Sequence, residues 1–370
     1  MKTILFFDNT AWGLYNFRST VIKHYIEKGY KIIVGTPLDE IYFSKFKKLG
    51  CTTFPINLDS RGINPMSDIR LLYQYYKLIK RIRPNLLISY TIKPNIYEGL
   101  AASLLKIPYI PIVPGAGTAF QKQNFVTKIV ETLYKNAFKK AIKVFFLNEE
   151  DYTLFINRKL VNTAAAHRLN GEGINLSDFK IIKKEEATPF TFILVARLLK
   201  SKGIIFYHDA AKIIKEKYPN TNFLLLGMLA QNNSDAIEQQ QLDKWNEEGV
   251  ISYLGATSDV MSFLKKTDCL VLPSYYREGI PRSLMEGAAV GLPLITTNHI
   301  GCREVVQDNY NGFLCKTKDV DSLAQQMEKM ILMTPEERRT MGLNGRKLVE
   351  KKFDINLIIQ EYDNVINNIQ

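Results

Sequence analysis

The stretch Phe190–Gly203 reads FTFILVARLLKSKG. Its opening residues are apolar apart from one threonine and show no polar alternation. Such a run suits a strand covered on both faces, as in a parallel sheet. The run ends at Arg197, and Lys202 follows five residues later where a helical pattern begins. A helix start carries positive dipole, so cations placed there are unfavourable without an anion to bind. The guanidinium is a fork for phosphate oxygens and the ammonium a point charge. This one stretch therefore suggests a strand–loop–helix unit with an anion at the carboxyl end of the strand.

The same grammar repeats along the chain. In the first half, apolar runs occur at 3–7, 31–36, 85–90, 109–113 and 143–148. In the second half they occur at 190–197, 222–227, 250–255, 269–273 and 293–297. Helical stretches lie between them, among them 66–82, 124–141, 202–217 and 319–333. This alternation, run twice in 370 residues, predicts an α/β protein of two doubly wound domains with parallel sheets. The expected division is an N-terminal domain 1–170, a polar linker 171–188, a C-terminal domain 189–350 and a helix 351–370 crossing back over the junction. Ligands of such sheets sit beyond the carboxyl ends of the strands.

Charge is unevenly distributed. Residues 1–160 hold 24 Lys+Arg against 11 Asp+Glu, whereas residues 161–370 hold 25 against 26. The whole positive excess belongs to the first half, which should face something anionic. Nucleic acid is not expected, because no zinc knuckle, RNP-type aromatic motif or Arg-rich tail is present. The four cysteines are scattered without a CxxC pair and read as reduced buried thiols. No histidine, cysteine or aspartate cluster has metal-ligand spacing, and no DxD motif stands at a strand end, so no metal or cofactor is expected. No run reaches the roughly 18 apolar residues of a membrane span. The N-terminal TILFF ends at Asp8 and reads as a strand, not an export signal.

A second stretch, Arg277–Leu294 (REGIPRSLMEGAAVGLPL), places Glu278 in a loop after an apolar strand and Glu286 inside the helix that follows. Pro281 suits a helix start and Gly291 its end. Two carboxylates at two depths, with helix-start N–H groups between them, can hold two polyols flanking a phosphate. That is the layout of a nucleotide-diphosphate sugar.

These residues resemble retaining glycosyltransferases of the GT-B fold, family 4. The pair Glu278-x7-Glu286 matches that family's signature, and ARLLKSKG is similar to its diphosphate motif. Similar, too, are YLGATSDV (253–260), GCREVVQDNYNGFL (301–314) and NGEGINLSDF (170–179). The segments YNFR (15–18), KPNIYEGLAA (93–102) and PGAGTAF (114–120) look like bacterial members that extend undecaprenyl-diphosphate-linked sugars. The resemblance implies that Arg197 and Lys202 bind the donor diphosphate. It implies that Glu278, with Gly279 and Ile280, holds the donor sugar, that Glu286 binds the ribose, and that the loop at Gly255 meets the base, uracil. One departure stands out. Many members carry a His-Gly pair where this chain has Pro114-Gly115-Ala116-Gly117, leaving a backbone donor at Gly115 or Gly117 as the substitute.

The first half should supply the acceptor site. Gly13 and Asn16 lie after the first strand, Arg18 is expected in the first turn of a helix, and Lys93 and Asn95 follow the third apolar run. Helices 70–83 and 124–143 are basic and amphipathic and suit an anionic membrane surface. On 124–143 the apolar stripe reads Phe125, Ile129, Leu133, Phe138 and Ile142. The resulting expectation is an enzyme that moves a hexose or N-acetylhexosamine from a UDP-sugar to a lipid-linked saccharide. It would retain configuration and work as a peripheral protein on the inner face of the cytoplasmic membrane. The alternatives are a nucleotide-sugar epimerase or hydrolase of the same fold and a non-catalytic sugar- or lipid-binding subunit.

Overall fold

The computed structural model describes residues 1–59, 62, 64–117, 120, 125–182, 189–230, 233–257, 259–277 and 279–369. The chain forms two compact units, Met1–Gly173 with Ile355–Gln370, and Ile174–Asp354.

The first unit is built on β1 (Thr3–Phe7), β2 (Lys31–Thr36), β3 (Thr52–Pro55), β4 (Leu86–Tyr90), β5 (Tyr109–Val113), β6 (Val144–Phe146) and β7 (Ala166–Arg168). They form one sheet in the order β3-β2-β1-β4-β5-β6-β7, and every pairing is parallel. Alternate residues of β1 serve different cores. Leu5 and Phe7 face a cluster with α3 (Pro65–Ile82), α4 (Gly99–Leu105) and α5 (Phe125–Phe138). Ile4 and Phe6 face one with α1 (Ala11–Glu27) and α2 (Glu40–Lys48). Burial on both sides explains why these strands read as unbroken apolar runs. Strand order reverses between β1 and β4, which opens a crevice at their carboxyl ends. Helix α6 (Glu149–Asn157) follows β6, capped by the Asn148 side chain on the Asp151 N–H at 2.7 Å.

The second unit carries β8 (Phe190–Val195), β9 (Thr221–Leu226), β10 (Ser252–Tyr253), β11 (Cys269–Leu272), β12 (Leu294–Thr297) and β13 (Gly312–Cys315) in the order β10-β9-β8-β11-β12-β13, again parallel throughout. Order reverses between β8 and β11. Helix α7 (Ile204–Lys217) follows β8, and α8 (Gln239–Glu247) and α9 (Met261–Leu264) precede β11. Then come α10 (Arg282–Ala289), α11 (Cys302–Val305), α12 (Val320–Leu332) and α13 (Pro335–Lys352). Helix α13 opens with Pro335 and a reciprocal capping box between Thr334 and Glu337.

Residues 174–182 of the stretch read as a linker pack into the second unit. The Ile174 N–H donates to Phe353 O at 2.8 Å and the Ile182 N–H to Val290 O at 2.9 Å. The stretch expected as one C-terminal helix is divided. Helix α13 ends at Lys352, and α14 (Ile355–Ile366) belongs to the first unit, burying Ile355, Ile358, Ile359, Tyr362 and Ile366. Its Asp363 accepts from Tyr25 at 3.1 Å and Lys28 at 2.6 Å on α1.

Helices α10 and α13 approach so closely that a Cβ at Gly342 would run into the Gly291 carbonyl oxygen. Because the obstacle is backbone, it cannot swing aside. Gly342→Ala should therefore destabilise the second unit by about 1–3 kcal/mol, the usual range for overpacking. Urea unfolding followed by far-UV circular dichroism measures this.

Candidate active site

In the second unit, β8 and β11 are paired, with Cys269 beside Phe192. The loops that leave them therefore emerge together at the reversal of strand order. The loop after β8 runs Ala196–Leu199, makes one tight turn at Lys200–Lys202, and enters α7 through Gly203, whose φ is +80°. A side chain at Gly203 would be strained by that φ and would also overlap the Pro273 carbonyl. Lys202 thus lies in the turn before α7, two residues earlier than a start within the helix itself.

This loop is clamped from three sides. Ala196 N–H donates to Leu226 O at 3.1 Å and Leu198 N–H to Met228 O at 3.0 Å. Asp235 accepts from the Ser201 N–H at 3.2 Å and from the Ser201 hydroxyl, and its own carbonyl receives the Lys200 N–H at 2.7 Å. Ser201 O accepts from the Ser274 hydroxyl at 3.2 Å and from the Tyr275 and Tyr276 N–H groups at 3.0 and 3.2 Å. Lys202 Nζ lies 5.9 Å from the centre of the Tyr276 ring. Arg197 is exposed, and among the described residues its guanidinium makes no ion pair. Asp235 and Ser201 were not singled out in the sequence, because nothing local marks a clamp formed across 34 residues.

The loop after β11 contains Gly279 and Ile280, and Ile280 packs on the core. Glu278 lies outside the described residues. Pro281 is the N-cap residue of α10, in extended geometry, and Gly291 at φ +83° follows the helix. Glu286 is the fifth helical residue. Its Oε1 accepts from Arg282 Nε at 2.8 Å, and burial raises its pKa above the usual carboxylate range despite that cation. Beyond β10, the Gly255 carbonyl accepts from the Gly227 N–H at 2.9 Å and closes the turn at φ +77°. Arg197, Lys202, Gly255, Gly279 and Ile280 are therefore all carried by loops at the carboxyl end of one sheet, with Glu286 on the helix that the β11 loop feeds.

In the first unit the expected acceptor residues sit differently. Gly13 is not in a loop but in the first turn of α1, where its N–H donates to the capping Thr10 hydroxyl at 3.0 Å. Arg18 is the eighth residue of α1, at the end of its second turn rather than in the first, because the helix starts as early as Ala11. It is almost wholly buried. Its guanidinium donates to Gly13 O at 3.2 Å, lies 3.5 Å from Asp8, bonds Glu172 and stacks 4.4 Å over the Tyr90 ring. The cation is thus matched by two internal carboxylates. Burial first, and then repulsion from Glu172, pushes the Asp8 pKa up to about 6 in spite of Arg18. Asn16 donates to Trp12 O at 2.9 Å.

Lys93 pairs with Asp68 at 2.7 Å and stands just before a wide π-helical turn, Pro94–Glu98. Asn95 is buried there and donates to Ile112 O at 2.6 Å. The preceding Thr91 has φ +68°, a strained conformation for a β-branched residue and one that gathers at functional sites. Gly115 leaves open space where a Cβ would stand, and Gly117 has φ +74° against the Ile92 side chain. Between them, the Ala116 N–H donates to Asp151 Oδ2 at 3.1 Å, so the glycine pair rests on a buried carboxylate.

Two family descriptions divide the chain between them: Glycosyl transferase 4-like over residues 3–148 and Glycosyl transferases group 1 over residues 177–348. A curated relative from Campylobacter jejuni is 30% identical over 98% of this chain and 99% of its own length. The chain is a group 1 glycosyltransferase. That relative is N,N'-diacetylbacillosaminyl-diphospho-undecaprenol alpha-1,3-N-acetylgalactosaminyltransferase. A second, from Escherichia coli, is UDP-Gal:alpha-D-GlcNAc-diphosphoundecaprenol alpha-1,3-galactosyltransferase, 27% identical over 79% of both chains. The GT-B fold is shared with Anabaena HepE, solved with UDP-glucose, at a TM-score of 0.80 and 17% identity over 99% of this chain and 100% of that one. In this glycosyltransferase each of the two sheets has a crevice at a reversal of strand order.

The Arg18 cluster gives a direct test. Arg18→Met removes the one cation between Asp8 and Glu172 and should cost roughly 3–5 kcal/mol, as for breaking a buried pair. The deficit should shrink below about pH 6, where Asp8 takes up a proton and ceases to repel Glu172. Denaturant unfolding of both proteins at pH 5 and pH 7.5 reads the difference.

Proposed function

We propose that this glycosyltransferase moves a hexose or N-acetylhexosamine from a UDP-sugar to a saccharide carried on a lipid diphosphate, with retention of configuration. The observation that carries the reading is Arg197. It is an exposed guanidinium that makes no ion pair among the described residues, held on a loop that backbone and side-chain hydrogen bonds tie in place. A cation so fixed and so unmatched suits a leaving diphosphate, where preorganised charge stabilises the transition state at little reorganisation cost. Lys202 would assist from the neighbouring turn. Glu286, with Arg282 already on one oxygen, would take the ribose hydroxyls, and Gly255 would border the base. Glu278, Gly279 and Ile280 would hold the sugar. The reading calls for no metal or other cofactor: Arg197 and Lys202 would supply the positive charge opposite the leaving diphosphate. The acceptor class is suggested by the activities of the two relatives, whose names both include undecaprenyl diphosphate sugars.

Attachment to an anionic membrane, on the inner face of the cytoplasmic membrane, completes the proposal. No helix among the described residues is long and apolar enough to cross a bilayer. The apolar stripe expected on α5 is split. Phe138 is buried in the core, while Phe125 is 77% exposed and Val126 and Ile129 are exposed beside it. Helix α3 repeats the arrangement. Leu71, Tyr75, Leu78 and Ile79 face the core, whereas Met66, Ile69 and Tyr73 stand exposed on the opposite side. Exposed lysines and arginines accompany both faces: Arg70, Lys77, Lys80 and Arg81 on α3, and Lys128, Lys135, Lys139 and Lys140 on or just beyond α5. Apolar anchors ringed by cations suit a bilayer interface, where each cation near anionic lipid contributes about 1 kcal/mol.

The deciding experiment is transfer from a panel of UDP-sugars to lipid extracts containing diphosphate-linked saccharides, run in EDTA. Arg197→Ala and Lys202→Ala should each lower the rate by about 10²- to 10³-fold, the scale of one lost charge-stabilising contact. Unfolding midpoints should stay near wild type. A normal rate in both variants refutes the donor site.

Vesicle flotation tests the membrane. Binding should require anionic lipid and weaken with salt, because exposed charges are screened beyond about 8 Å at physiological ionic strength. Reversing Lys135, Lys139 and Lys140 together should release the protein while leaving turnover of a short water-soluble acceptor unchanged. Equal binding to neutral and anionic vesicles would contradict it.

A further inference from the structure

Beneath the loop that follows β4 lies a carboxyl group with no assigned task. Glu98, the last residue of the π-helical turn, has no exposed surface, and neither of its oxygens completes a hydrogen bond of ordinary geometry. The groups around it are neutral. Tyr75 faces it from α3, Ser89 from β4 and Tyr109 from β5, with Ser103 of α4 bonded to the Tyr109 hydroxyl at 3.0 Å. Helix α5 turns Tyr134, Ala137 and Phe138 toward this core, and the Ala137 carbonyl abuts Gly99. Asp8, at the end of β1, reaches the same Tyr75 and adds a second negative group, not a counter-charge. Among the described residues no cation offsets Glu98. The Ser89 hydroxyl beside it favours the charged form slightly but does not form a bond of good geometry.

Among the described residues, side-chain oxygens of Tyr75, Ser89, Thr91 and Asn95 are likewise buried without a hydrogen-bond partner. They line the reversal of strand order between β1 and β4, next to the strained Thr91 and to Lys93. An ionised carboxylate in such a place would be strongly unfavourable, whereas a carboxylic acid can be a donor to one of these oxygens.

We propose that Glu98 is a positioning residue: a neutral carboxyl beneath the Thr91–Asn95 loop that holds the acceptor side of the first unit in its binding geometry. The word acceptor rests on the function proposed above; the structural part does not. Asn95 lies in the turn that Glu98 closes, and Lys93 stands at its start. Loss of the Glu98 proton would place a bare charge under that turn, and the turn would open to admit water. Burial supports the same view, since it raises the Glu98 pKa from 4.5 to about 8.

The sign of the pH effect follows. Between about pH 4.5 and 8 the folded protein holds a proton that the unfolded chain has lost. Stability therefore falls as pH rises through this window and levels off above it. Glu98→Gln keeps the shape and stays neutral, so its Tm should lack that component of the fall. In transfer assays the wild-type kcat/KM for acceptor should drop about tenfold per pH unit above the Glu98 pKa, the limb of a single proton loss. Glu98→Gln should retain activity and lose this limb, and UDP affinity should not change in either protein.

An identical alkaline limb in the two proteins, or a Tm that falls equally with pH in both, overturns the proposal. Should Glu98→Gln fail to fold, difference infrared spectra of the wild type between pH 7 and 9 decide. A protonated-carboxyl stretch that disappears over that range supports the assignment, and its absence at pH 7 refutes it. If no UDP-sugar and no lipid-linked acceptor gives transfer at any pH, the proposed function fails, while the Tm and infrared measurements still decide the state of Glu98.

Discussion

The guanidinium of Arg18 joins four parts of the first unit near the reversal of strand order. Asp8 at the end of β1, the Gly13 carbonyl inside α1, the Tyr90 ring at the end of β4 and Glu172 on the exit segment all converge on it. Tyr90 in turn lies 3.4 Å, hydroxyl to hydroxyl, from Tyr362 on the returning C-terminal helix. Removing a charge from water is costly, and it is tolerated here because two carboxylates and a ring face compensate it together. Two acids sharing one cation are never fully satisfied, which is why Asp8 stays hard to ionise. The arrangement fixes the working end of the sheet at the expense of Arg18 as a ligand.

The second unit solves the same problem with neutral groups. Its loop after β8 is tied down by backbone carbonyls, serine hydroxyls and the single carboxylate of Asp235, which is directed at Ser201 and not at a cation. The consequence is electrostatic. At the strand ends of the first unit, Arg18 and Lys93 each have an internal acid, whereas Arg197 in the second unit has none among the described residues. An anionic ligand meets an unmatched charge at Arg197, but at Lys93 it must compete with Asp68. In the proposed function, a diphosphate leaving group at the second sheet and a hydroxyl-rich acceptor at the first would make different demands of this kind.

Much of this was legible in the chain. Strands buried on both faces announce themselves as apolar runs, and the central strands of both sheets lie within a residue or two of their expected bounds. The strands that escaped notice are β3, β7 and β13. The sequence TTFP in β3 and the three residues of β7 are too short and polar to form a run, and both lie near or at a sheet edge, where one side needs little cover. Gly312–Cys315 was absorbed into a motif and not recognised as a strand. Among site residues, Gly117 and Gly255 were readable because their positive φ favours glycine. Asp235, Glu172 and Glu98 were not, because their partners are distant in sequence or, for Glu98, because what matters is the lack of one. Arg18 was misplaced by a turn, since Thr10 caps α1 earlier than the glycine suggested.

The charge asymmetry can be placed with the same logic. Within the first unit, the cations that reach the strand ends are already neutralised. The excess therefore resides on exposed helix faces, above all those of α3 and α5. Each of these helices has two apolar sides: one fills the core beneath the sheet and the other faces outward among lysines and arginines. A hydrophobic average over either helix merges the two sides and suggests a single stripe with a solvated back. Only burial separates them. It leaves Phe125, Ile129, Met66, Ile69 and Tyr73 exposed on helices that also carry exposed lysines and arginines.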